Sequence, residues 1–175
     1  MKKQLYILLF AMLVFAVSAS AQTATGTLTV TATVNSSISL AFNSDASGVA
    51  LSSGAGTNAA TLAFGNVSAY GAVAGGVTRT VGASNFTVSS PVDVFVTKSN
   101  SASANYTLNA RLGAADAVNT WQVGGSTITS AAASTITASG TYGSNVAQAI
   151  ALTIPFTTAS GTSISNTINF SATAN

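Results

Sequence analysis

The sequence predicts an all-β protein, an immunoglobulin-like antiparallel β-sandwich of about eight to ten strands, and three observations carry that prediction. Apolar residues recur with a period of two along most of the chain, which is the pattern of strands with one buried and one solvated face. Short runs rich in Val, Ile, Thr and aromatic residues are separated by clusters of Gly, Ser, Asn and Ala at roughly 10–15-residue intervals. Helical signals are missing: Glu is absent and charged residues make up only 5% of the 175 residues, so the usual surface of an amphipathic helix cannot be built.

The elements follow in chain order. Lys2 and Lys3 precede a thirteen-residue apolar run, Leu5 to Val17, and Ala19-Ser20-Ala21 supplies a small-x-small pattern. Residues 1–21 therefore read as a secretory signal peptide with cleavage expected before Gln22. The run is shorter than the roughly 20 residues a spanning helix needs, and no later stretch could span a bilayer as a helix. The chain holds no Cys, which excludes a lipid anchor on an N-terminal Cys and any disulfide. Residues 22–175 are expected to form a single domain.

Thr23 to Phe42 (TATGTLTVTATVNSSISLAF) opens it as one long uncharged strand. Leu28, Val30, Ala32 and Val34 fall on one face, followed by Ile38, Leu40 and Phe42, with a bend or bulge expected at Asn35-Ser36-Ser37. A loop covers Asn43 to Asn58. Thr61 to Val67 is expected as a short strand, Gly71 to Gly76 as a flexible link, and Val77 to Val81 and Asn85 to Ser89 as strands. Pro91 suits the first position of the next strand, Val92 to Lys98, because proline cannot donate to a ladder. Asn105 to Leu112 alternates, Thr120 to Val123 carries the single Trp, and Gly124-Gly125 is a turn signal. Ser126 to Thr129, Ser134 to Ala138, Val146 to Phe156 and Thr162 to Ala174 complete the set.

Composition excludes whole classes of function. Without residues 1–21, three cations (Arg79, Lys98, Arg111) face three anions (Asp45, Asp93, Asp116), a formal charge of zero. No basic patch can neutralise phosphates, so nucleic acid is not expected as a partner. With no His, Cys or Glu, there is no set of residues for general acid–base catalysis or metal ligation. The chain is expected to be no enzyme and to need no cofactor or metal. Lys98 lies in a polar turn, where solvation is the simpler reading than a Ser/Lys dyad. Asp93 and Lys98 differ by five positions and would face opposite sides of a strand, which disfavours an isopeptide bond between Lys98 and a nearby Asn. The N-x-S/T triplets at Asn35, Asn66, Asn85, Asn105 and Asn169 follow from a composition rich in Ser and Thr. Trp121 and Tyr106 are candidates for a ligand platform, although a lone Trp in a sandwich more often packs in the core.

The opening strand raises the sharpest question. Edge strands are usually guarded by Lys, Pro or bulges, and Thr23 to Phe42 has neither charge nor proline. It is expected either to be covered in its own sheet or to add itself to a neighbouring copy, residues 22–42 acting as an exchange strand with Leu28, Val30, Ala32 and Val34 inserted. The signal peptide, the Thr-rich first strand, the L-x-F-G turn at Leu62-Ala63-Phe64-Gly65 and the alternating last strand resemble secreted bacterial pilin-type sandwiches, such as spore coat protein U and chaperone–usher fimbrial subunits. That resemblance implies a secreted, cell-surface structural subunit exported through the general secretory pathway. Its partners would be other copies or related subunits, with a periplasmic chaperone or outer-membrane assembly protein. The alternative is a monomeric adhesin or carbohydrate-binding module.

Overall fold

The computed structural model describes residues 25–175; the expected signal peptide and the first two residues of the opening stretch lie outside them. Val34–Asn175 forms a two-sheet antiparallel β-sandwich. Its strands are β1 (Ser37–Ser44), β2 (Thr78–Val81), β3 (Asn85–Ser99), β4 (Asn105–Leu112), β5 (Thr120–Val123), β6 (Ser126–Ile128), β7 (Ser134–Thr141), β8 (Asn145–Pro155) and β9 (Ile168–Ala174). The larger sheet has the order β1-β3-β8-β5-β6, with β2 also paired to β3; the smaller has the order β7-β4-β9.

β3 is the spine. The two strands expected at Asn85–Ser89 and Val92–Lys98 are one fifteen-residue strand that runs through Pro91. The pairing explains why proline is tolerated there. β8 borders β3 on one edge from Asn85 to Phe95, while the other edge is taken by β2 as far as Ser89 and by β1 from Val92 onward. Ser90 and Pro91 fall in the gap between these two partners, where β3 has no strand on that edge. Ser90 is fully buried there, and its Oγ accepts a hydrogen bond from the Val49 N–H at 2.8 Å, which ties the loop after β1 over the gap.

The even positions of β3 point inward: Phe86, Val88, Val92, Val94 and Val96 are all buried. They meet Ile150, Leu152 and Ile154 from β8, Trp121 and Val123 from β5, and Tyr106, Leu108, Ala110 and Leu112 from β4. This is the alternation anticipated from sequence, each sheet hiding one face. Gly124 and Gly125 both have positive φ, 57° and 83°. They form the two-residue β5–β6 turn whose twist matches the flanking strands and which side-chain-bearing residues adopt poorly.

Besides the joining of two expected strands in β3, β7 runs on to Thr141 rather than stopping at Ala138, and three more expected strands are corrected. Among the described residues the opening stretch forms a strand only from Ser37, which pairs with Ser99, the last residue of β3. Asn100 then takes a positive φ of 55° and turns the chain away, so residues 25–36 have no partner in β3. Thr61–Val67 forms no strand beyond an isolated bridge between Ser53 and Thr61; Leu62, Phe64 and Val67 nevertheless pack on the core. The last strand begins at Ile168 rather than Thr162.

Candidate functional site: an open groove beside the smaller sheet

The two sheets differ in size. Three strands cannot cover the inner face of six, and beyond β9 the deficit is filled by two irregular segments, residues 60–67 and 160–166. Between them lies an open groove of about 860 Å³. Val92 and Val94 of β3, Ile150, Leu152 and Ile154 of β8 and Trp121 of β5 supply its floor. Leu62, Phe64 and Ile164 line it from the irregular segments, and Phe42, Ile168 and Phe170 from β1 and β9. None of the lining residues carries a charge; the polar ones are Ser, Thr and Asn. Such a lining can bury apolar side chains and hydrogen-bond a backbone, but it offers no acid, base or nucleophile activated by one.

The strand bordering this groove is unguarded. β9 is the end strand of its sheet, paired only to β4 among the described residues. Its sequence, INFSATA, contains no Lys and no Pro. Opposite it, the other edge of β1 is occupied, among the described residues, by one isolated bridge, where the Phe42 N–H donates to Thr57 O at 2.8 Å and Gly56 N–H donates to Phe42 O at 2.7 Å.

The residues singled out from sequence divide cleanly. Residues 25–36 carry no regular secondary structure, and Leu28, Val30 and Val34 are among the most exposed large apolar side chains, at 89%, 81% and 74%; Ala32 is exposed as well. Trp121 and Tyr106 are buried, at 7% and 1% exposure, so neither presents a ring face to a surface ligand. Trp121 instead donates its indole N–H to Asp116 Oδ2 at 2.8 Å. Burial pushes the Asp116 carboxyl up, but hydrogen bonds from the Asn119 N–H, the Trp121 indole, the Asn119 amide and the Val118 N–H outweigh it and hold the group down at about 2. Asp116 is therefore a fixed acceptor that locks the β4–β5 loop and the orientation of Trp121.

The other charged groups form no catalytic set. Asp93 lies beside Asp45, a neighbourhood that their 48-position separation hides in the sequence. Burial and then the charge on Asp45 raise the Asp93 carboxyl, while Ser47 hydroxyl and N–H hydrogen bonds lower Asp45. Among the described residues no three His, Cys, Asp or Glu side chains gather to hold a metal. Lys98 donates to Ser103 O and lies over the Tyr142 ring, 5.0 Å from its centroid, engaged with no Asn side chain. No protein-family model, no curated protein and no solved structure matches the chain.

Proposed function

We propose that the protein is a structural subunit of an extracellular fibre or coat, exported through the general secretory pathway and assembled when the N-terminal stretch of one copy enters the groove of another. The observation that carries this reading is the complementarity of two features of one chain. Leu28, Val30, Ala32 and Val34 alternate on an uncharged, unpaired segment. The groove is uncharged, has an apolar floor between polar walls of Ser, Thr and Asn, and is bordered by a strand with a free edge among the described residues. Leu28–Val34 is seven residues long, the length of β9, so it can add a strand to β9 by backbone pairing while its apolar side chains enter the groove. A net charge of zero after loss of residues 1–21 removes the repulsion that keeps subunits apart. Subunits of this kind need no catalytic group, cofactor or metal; a chaperone that shields the groove before assembly fits the same surface.

The test compares residues 22–175 with a version lacking Gln22–Asn35, by size-exclusion chromatography and negative-stain microscopy. Filaments from the first and a folded monomer from the second are expected. A stable monomer from the first and unfolding of the second would place the segment in its own core and end the proposal. Because the chain has no Cys, a Val30→Cys, Ile164→Cys pair gives a clean second readout: oxidation should yield ladders of covalent oligomers.

A further inference from the structure

A second surface, whose residues do not line the groove, is built from aromatic rings. Tyr70 and Phe156 are 72% and 40% exposed. Their ring centroids lie 6.4 Å apart with the planes inclined at 33°. Phe86, in the core, stacks beneath Phe156 with centroids 6.3 Å apart and planes at 19°. The pair is thus an outward continuation of the core, at the end of the sandwich where β8 stops and β3 begins, since Asn85 pairs with Pro155.

Both rings are held in place. Arg79 of β2 spreads its guanidinium over the Tyr70 loop, Nη1 donating to Ser68 O at 2.9 Å and Nη2 to Gly71 O at 2.8 Å. The Ser68 hydroxyl donates to Tyr70 O at 2.6 Å. Phe156 is fixed through its N–H, which donates to Ser84 O at 2.9 Å. A charged side chain is spent on orienting a loop whose exposed feature is one aromatic ring. A ring fixed before binding loses little entropy on contact.

We infer that Tyr70 and Phe156 form a stacking site for a neutral saccharide. Three properties select this class. The surface is apolar at the rings, matching the C–H face of a pyranose, and the Tyr70 loop carries the Ser68 and Gly71 carbonyls, each with a second lone pair that can accept from a sugar hydroxyl. The one nearby charge, Arg79, already serves two backbone carbonyls, so nothing is arranged to recognise an anion. The area is also small. Two aromatic side chains of about 150–250 Å² each, only partly exposed, fall well short of the ~1,000 Å² that a stable protein interface buries, yet they suffice for one or two sugar rings. This site is independent of the strand-insertion reading, and its residues differ from the buried Trp121 and Tyr106.

The test titrates the exported chain with linear β-1,4-linked oligosaccharides of glucose, N-acetylglucosamine and mannose, followed by saturation-transfer NMR and by shifts of the Tyr70 and Phe156 ring resonances. At least one oligosaccharide should shift both rings. Tyr70→Ser should weaken that binding by about tenfold or more, and Tyr70→Trp should retain it, each with an unchanged unfolding midpoint because Tyr70 is mostly solvent-exposed. Three outcomes would overturn the proposal: no ring shift with any of the sugars, equal binding by Tyr70→Ser, or concentration-dependent self-association that Tyr70→Ser abolishes, which would assign the rings to a second copy.

Discussion

Phe42 on β1 and Phe170 on β9 meet edge-to-face across the two sheets, with ring centroids 5.2 Å apart and planes at 66°. Each ring packs against both clusters of the core, the one around Val88, Trp121 and Leu152 and the one around Val94, Val96 and Tyr106. Both also line the groove. The pair therefore ties the two sheets together at the place where the sandwich is least covered. Replacing either ring by Leu should destabilise the fold by about 1–2 kcal/mol. A double-mutant cycle should return a coupling of about 1 kcal/mol, the part due to the ring–ring geometry. Urea unfolding of the four proteins checks both figures, and strict additivity would show that the rings act independently.

Gly140 on β7 pairs with Tyr106 on β4. A Cβ there would lie within the van der Waals envelope of the Tyr106 ring. That ring is 1% exposed, packed at 5.2 Å from Tyr142, and has little room to move. Gly140→Ala should cost about 2 kcal/mol through overpacking. Adding Tyr106→Leu should recover part of that loss, so that the double variant is more stable than the sum of the singles. A Gly140→Ala protein as stable as the parent would show that β7 shifts to make room.

Acid should loosen the β4–β5 loop before the sandwich. The Asp116 carboxyl sits at about 2 in the folded protein against an ordinary 3.8. A depressed value means that the contribution is present above the unfolded value and is lost as pH falls through the folded one. The loss should run from about pH 4 to about pH 2, reported by Trp121 emission because its indole N–H binds Asp116. Asp116→Asn should flatten that part of the profile; an unaltered acid transition would mean that another carboxylate governs it.

Ser90→Ala leaves the Val49 N–H without its acceptor at a covered position. The expected cost is about 1–2 kcal/mol, the penalty of an unsatisfied donor rather than of lost packing. Hydrogen exchange at the Val49 amide is the specific check. It should speed up well beyond the amides of the flanking strands, and equal protection in the two proteins would assign the loop's position to other contacts.

What could be read from the sequence follows from where partners are local. β4 and β5 begin and end at the residues their alternation marks, and β8 is displaced by a single residue. In these strands the period of two reports a buried face directly. The same period misled at Thr23–Phe42 and Thr61–Val67. Alternation states which side chains can share a face, but a strand also needs a neighbour, and whether β3 extends past Ser99 is not encoded in residues 25–36. Pro91 misled in the other direction: it reads as a strand start, and only the change of neighbour from β2 to β1 makes it an interior residue. The groove was invisible for a similar reason. It arises from the unequal strand numbers of two sheets, which no short window of sequence contains. Tyr70 was passed over because a single aromatic in a Gly- and Ala-rich loop carries no periodic signal; the clamp from Arg79, nine positions on, is what marks it.

The pairing of β1 with β3 has a mechanical side. All eight residues of β1, from Ser37 to Ser44, are matched antiparallel to Val92–Ser99. The chain enters β1 at Ser37, so tension along the strand axis, applied at that end and resisted through β3, loads the whole ladder in parallel. Bonds that share a load must fail together, whereas bonds peeled from one end fail in turn. The same eight pairs thus make a joint that resists stretching along the strand and yields readily to a sideways pull.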